Sequence, residues 1–237
     1  MSQETHSTLG KPKPSDPVWC ARVLRPASAP LIRVAHRMGM SANTVSLAML
    51  PLILLAAILI GAGDVWLALM GALIMNFVAL GDCVDGGVAR LSGATGPAGE
   101  WMDAMVGYTV YAVLPLAIGF RAWHAEGPGT GILGPEVLFL LGAATAVLNL
   151  YARVLYQKYL NAFQDRIQSE EANAGKGSLY SKVMTQLGFV GLMMPLLLLA
   201  VVTGTEALYV MLYFAVYAVS ALGTAVILIR RVLSGEG

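Results

Sequence analysis

Residues 65–81 read VWLALMGALIMNFVALG, and residues 82–90 continue DCVDGGVAR. The first part carries no charge, and a helix needs about 20 apolar residues to cross a hydrocarbon core of about 30 Å. The second part sets Asp82, Asp85 and Arg90 directly behind that run. Ionisable groups at membrane depth are costly unless they line a polar cavity. The stretch therefore predicts a membrane-spanning helix from Val65 to Arg90 whose last turns carry a polar site.

Five further apolar runs flank it: Thr44 to Ala62, Glu100 to Phe120, Pro135 to Tyr159, Tyr180 to Val202 and Glu206 to Val232. The chain is 57% hydrophobic and 12% charged, against about 25% charged in a soluble domain, which excludes the soluble globular class. The expected fold is all-α: a polytopic membrane bundle of six transmembrane helices over residues 41–233, with an N-terminal interfacial amphipathic helix. That helix falls within residues 18–40, where Arg22, Arg25, Arg33 and Arg37 mix with apolar residues, as suits an anionic lipid surface. Residues 1–17 read as a disordered polar tail without the apolar core of a signal peptide.

Local signals refine this plan. Ser41 is a candidate helix cap and Pro135 a first-turn residue, while Pro51, Pro115 and Pro195 fall inside apolar runs as kinks. Asn76 and Asn149 read as hydrogen-bonding glue between helices. The polar stretch Gln164 to Lys182 reads as a solvated connection, with a lid over the site as the alternative. Cys20 and Cys83 are too few for a disulfide framework.

With the amino terminus inside, six spans put 14 of the 15 lysines and arginines on the cytoplasmic side and only Arg121 outside. Both termini and the acidic motif then face the cytoplasm. The net charge of +1 hides this asymmetry and says little about partners; the membrane is the expected partner, and no nucleic acid is expected.

Asp82 and Asp85 are three residues apart and share a helix face. Asp103, in the following GEWMD at residues 99–103, is expected to open the next helix. Three carboxylates converging from two helices repel one another unless a cation sits among them, and hard oxygen ligands favour Mg²⁺ or Mn²⁺. Such an ion completes its shell with water and phosphate oxygens. Gly86 and Gly99 leave room for a bulky ligand or a close helix, and the Arg90 guanidinium suits a phosphate oxygen.

Asp82, Asp85, Gly86, Ala89, Arg90, Gly99 and Asp103 together resemble the signature of the CDP-alcohol phosphotransferase family. The resemblance implies a juxtamembrane helix and six spans, and the SANTVS stretch at residues 41–46 is similar to the turn before the family's first span. It further implies that Asp82, Asp85 and Asp103 hold divalent metal and the diphosphate of a CDP-linked substrate. Gly86 and Ala89 would make room for the nucleotide, and Arg90 would sit beside it. Arg153 resembles the basic residues with which some members hold an acceptor phosphate. The implied reaction moves a phosphatidyl or phospho-alcohol group from a CDP-linked donor to a hydroxyl acceptor, with Asp82, Asp103 and Arg90 as catalytic residues and CMP released. The family often forms homodimers, and Ala215, Ala218, Ala221, Gly223 and Ala225 on the last helix suit either a homodimer or packing within one chain.

One signature position departs. The last aspartate, thought to hold metal and deprotonate the alcohol, is Gly107 here. Glu100, about two turns earlier, is a poor replacement, and Tyr108 is expected to point elsewhere. Two alternatives stay open. One is ionisation of a prenyl diphosphate on the same metal site, with Trp101, Tyr108, Tyr111, Phe77 and Met105 walling a cation. The other is a non-catalytic binding protein for nucleotide or lipid.

Overall fold

The computed structural model describes residues 11–94, 96–124, 131, 133–163 and 179–234. Among these there is no strand; the chain is an all-α bundle with six helices long and apolar enough to cross a membrane. A π-helical turn, Cys20–Leu24, leads into α1 (Arg25–Arg37). The first four spans are α2 (Ala42–Gly61), α3 (Val65–Ser92), α4 (Pro97–His124) and α5 (Pro135–Ala162). The fifth is built from α6 (Leu179–Leu187) and α7 (Met194–Thr203), and the sixth is α8 (Glu206–Leu233).

The helix starts follow from local chemistry. Ser41 caps α2 as expected, its Oγ accepting from Thr44 N at 3.1 Å. Asp64 caps α3, accepting from the amides of Trp66 and Leu67 at 2.9 and 3.0 Å. Gly93, in the left-handed region at φ 64°, terminates α3, and Pro97 opens α4 three residues before the expected start. Asp103 therefore stands in the second turn of α4 and not at its beginning.

Close packing relies on glycines. A side chain at Gly71 would meet the Ala56 carbonyl of α2 at 2.7 Å, and Gly119 of α4 lies directly on Gly142 of α5. The amphipathic α1 buries Ile32 against Gly87 of α3 while Arg33, Val34 and Arg37 stay exposed. The interfacial helix thus docks on the helix that carries the acidic motif.

The fifth span departs from expectation: it is broken, not kinked. A proline ring clashes with the carbonyl four residues back, and that residue for Pro195 is Gly191, whose ψ of −128° takes it out of the helix. Tyrosines satisfy the backbone groups released there. Tyr111 Oη accepts from Phe189 N at 3.2 Å, Tyr213 Oη donates to Leu187 O at 3.3 Å, and Tyr209 Oη donates to Met193 O at 3.2 Å. Asn76 bridges α3 to the same span, donating to Met194 O at 3.0 Å, which is the role expected of it.

At the end of the bundle away from the motif, Arg121 is buried, not loop-exposed. Its Nε donates to Glu206 Oε1 at 2.7 Å and its Nη1 to Gly63 O at 3.0 Å. This one contact joins α4, α8 and the α2–α3 turn.

Candidate functional site

The acidic motif lies where α3 and α4 approach α2 and the amino-terminal segment. Asp82 and Asp85, one turn apart on α3, both turn toward a cavity of about 310 Å³ that Asp103 of α4 also lines. Asp85 is buried, and Ser46 Oγ of α2 donates to its Oδ2 at 2.6 Å. The Asp82 and Asp103 carboxyls thus come from neighbouring helices to the lining of one cavity. Gly86, Ala89, Arg90 and Gly99 line the same cavity, so seven of the eight residues singled out in the sequence meet in one place.

The glycines divide by role. A side-chain carbon at Gly86 would meet nothing closer than Arg90 Nη1 at 3.4 Å, and one at Gly99 nothing closer than Asn43 Oδ1 at 3.8 Å. Both face open space. The helix-packing duty falls to Gly81 and Gly87, which press on Met49 and Ile32.

Arg153, the eighth residue, lines a second cavity of about 760 Å³. Asp82 and Asp103 line this cavity too and so form the wall between the two. Arg153 Nε donates to Asn149 Oδ1 at 2.8 Å, and its guanidinium lies 4.1 Å from the Tyr111 ring centroid and 5.5 Å from that of Tyr108. Asn149 thus orients Arg153 instead of gluing two helices. Tyr108, expected to point elsewhere, lines this cavity beside Gly107. Glu100 lines the first cavity and is exposed. A side-chain carbon at Gly107 would have nothing within 4 Å.

Of the five side chains expected to wall a carbocation, Tyr108 and Tyr111 line the second cavity, while Trp101 and Phe77 are 65% and 47% exposed on the outer surface. The lid suggested by the polar loop cannot be placed, since residues 164–178 lie outside the described residues.

Four further polar residues that line the first cavity were not expected as site residues: Asn43 and Ser46 from α2, and Lys13 and Arg25 from the amino-terminal side. Ser46 had a usable signal, being a hydroxyl one turn inside an apolar span. Arg25 had none among four similar arginines. Its mark is structural: Arg25 Nε and Nη2 donate to the two Asp16 carboxylate oxygens at 2.9 and 3.0 Å. Burial alone would raise the Asp16 pKa, but the Arg25 hydrogen bonds and the Lys13 amide hold it below its ordinary 3.8.

The donor set suits a hard divalent cation, since Asp82, Asp85 and Asp103 offer only carboxylate oxygens. Among the described residues, no group of three or more His, Cys, Asp or Glu side chains is placed closely enough to hold a metal ion. An ion held there would draw the rest of its shell from water or from the oxygens of a ligand, which is the ordinary habit of Mg²⁺. In comparisons with known proteins, no protein-family model and no curated sequence matches this chain.

Proposed function

We propose that this chain is a Mg²⁺-dependent membrane transferase of the CDP-alcohol phosphotransferase type. It would pass a phosphatidyl or phospho-alcohol group from a CDP-linked donor to a hydroxyl acceptor and release CMP. The observation that carries the reading is the pair of carboxylates, Asp82 and Asp103, that lines two cavities at once. The first cavity has glycine-lined space and cationic side chains, as a nucleotide diphosphate needs. The second offers Arg153, set on aromatic rings, for an acidic group on the acceptor. A hydroxyl in the second cavity would then meet the phosphorus of a donor in the first across the shared wall.

The divalent ion, when bound by Asp82, Asp85 and Asp103, supplies charge stabilisation to the diphosphate. Ser46 fixes the orientation of Asp85, and Arg90 offers N–H donors to the oxygens on which charge develops as the bond to CMP breaks. The acceptor oxygen forms the new bond to phosphorus. With no side chain at Gly107, its proton passes to an Asp103 carboxylate oxygen or to water in the second cavity. The distribution of lysine and arginine supports a cytoplasmic location for this site in the cytoplasmic membrane.

Ionisation of a prenyl diphosphate would use the same metal grip and would need no base on an alcohol. Against it stands Arg153, whose guanidinium covers the Tyr111 ring, so a carbocation would meet a fixed positive charge instead of a bare aromatic face. Purified protein with Mg²⁺ separates the readings. CMP from CDP-diacylglycerol supports transfer, inorganic diphosphate from a prenyl diphosphate supports ionisation, and binding without either product supports a non-catalytic protein.

A further inference from the structure

Arg25 belongs to the juxtamembrane helix, yet it is only 8% exposed and lines the first cavity with the three aspartates. Burying a guanidinium is costly unless oxygen partners replace its water. Asp16 satisfies one edge through Nε and Nη2, and Asp16 is itself held by the Lys13 amide at 2.8 Å. Nη1 makes no hydrogen bond among the described residues and is not fully sealed from solvent. A planar guanidinium gripped along one edge keeps its remaining N–H groups in a fixed direction, the arrangement that suits a phosphate oxygen.

A purely structural clamp would not require this placement. The segment is already anchored by apolar contacts, with Cys20, Leu24 and Ile32 buried and Ile32 seated on Gly87. Arg90, the cation that belongs to the motif, is exposed at the same cavity, whereas Arg25 is shielded from water and its charge is correspondingly less screened.

We infer that Arg25 is a phosphate-binding residue of the first cavity, oriented by Asp16, so that the amino-terminal segment from Lys13 to Arg25 forms one wall of the diphosphate site. The inference rests on the diphosphate reading proposed above. It makes the juxtamembrane helix part of the binding machinery. It also assigns Asp16 a positioning role with no direct contact to the ligand.

The test is calorimetric titration of the full-length protein in detergent with Mg²⁺, using CDP and inorganic diphosphate as probes, with a melting curve for each variant. Arg25→Gln should weaken both probes about tenfold or more, the loss expected for a charge-assisted hydrogen bond. Arg25→Lys should recover only part of this, because one ammonium cannot hold Asp16 and a phosphate as a planar fork does. Asp16→Asn should give a smaller loss than Arg25→Gln. Wild-type affinity for both probes in folded Arg25→Gln, with only a lowered melting temperature, would overturn the inference; if that variant does not fold, undiminished affinity in Arg25→Lys overturns it equally. Wild-type protein that binds neither probe with Mg²⁺ would instead bring down the diphosphate reading and the inference with it.

Discussion

Gly107 sits where an added side chain meets nothing within 4 Å, beside Tyr108 and on the cavity that Asp82 and Asp103 also line. Gly107→Asp should therefore fold normally and supply a carboxylate to the acceptor cavity. General-base help contributes typically 10²- to 10⁴-fold, so CMP formation should rise within that range. An unchanged rate would show that the absent aspartate is not what limits transfer. Ser46 allows a second prediction at this scale. Ser46→Ala removes the 2.6 Å donor to buried Asp85 and leaves a charge under-satisfied, which should cost about 1 to 3 kcal/mol in thermal or denaturant unfolding. Asp82, Asp85 and Asp103 were legible in the sequence because their spacing puts them on helix faces that can converge. Arg25 was not, because its partner Asp16 lies in a polar segment that no periodicity describes.

The juxtamembrane helix and the motif helix meet at a pair of thiols. Cys20 and Cys83 are buried with their sulfurs 3.6 Å apart, although 63 positions separate them in sequence. Mild oxidation of the folded protein should join them, giving a disulfide-linked peptide by mass spectrometry that is absent in Cys20→Ser. Two thiols that stay separately alkylatable after such treatment would place the juxtamembrane helix elsewhere. The spans themselves were readable from apolar length, and most boundaries moved by only a few residues. The broken fifth span was less so. Pro195 signalled a disturbance, but its depth depends on Gly191 giving way and on Tyr111, Tyr209 and Tyr213 from other helices satisfying the freed backbone. Those partners are distant in sequence, so no local pattern could have announced them.

Among the described residues, two ion pairs lie at opposite ends of the bundle. The end opposite the motif is tied by the Arg121–Glu206 pair, with side chains 7% and 1% exposed. Removing one partner leaves a buried charge alone, so Arg121→Met should destabilise the bundle by about 3 to 5 kcal/mol, and the double variant with Glu206→Leu should regain most of this in unfolding measurements. Charge counting alone singled out Arg121 as the one cation expected at the end away from the motif. Its pairing with Glu206 and with the Gly63 carbonyl gives the physical reason a buried charge is tolerated there. At the other end, the bundle sets two cavities against one pair of carboxylates, and the proposed transfer between a CDP-linked donor and an alcohol depends on that arrangement. The most direct test is CMP release from CDP-diacylglycerol by the purified protein, in the presence of a set of candidate acceptor alcohols, with and without Mg²⁺. The proposed transfer requires CMP formation that depends on Mg²⁺ and is lost in Asp82→Asn. No CMP from folded protein, or the same yield from Asp82→Asn, would contradict it.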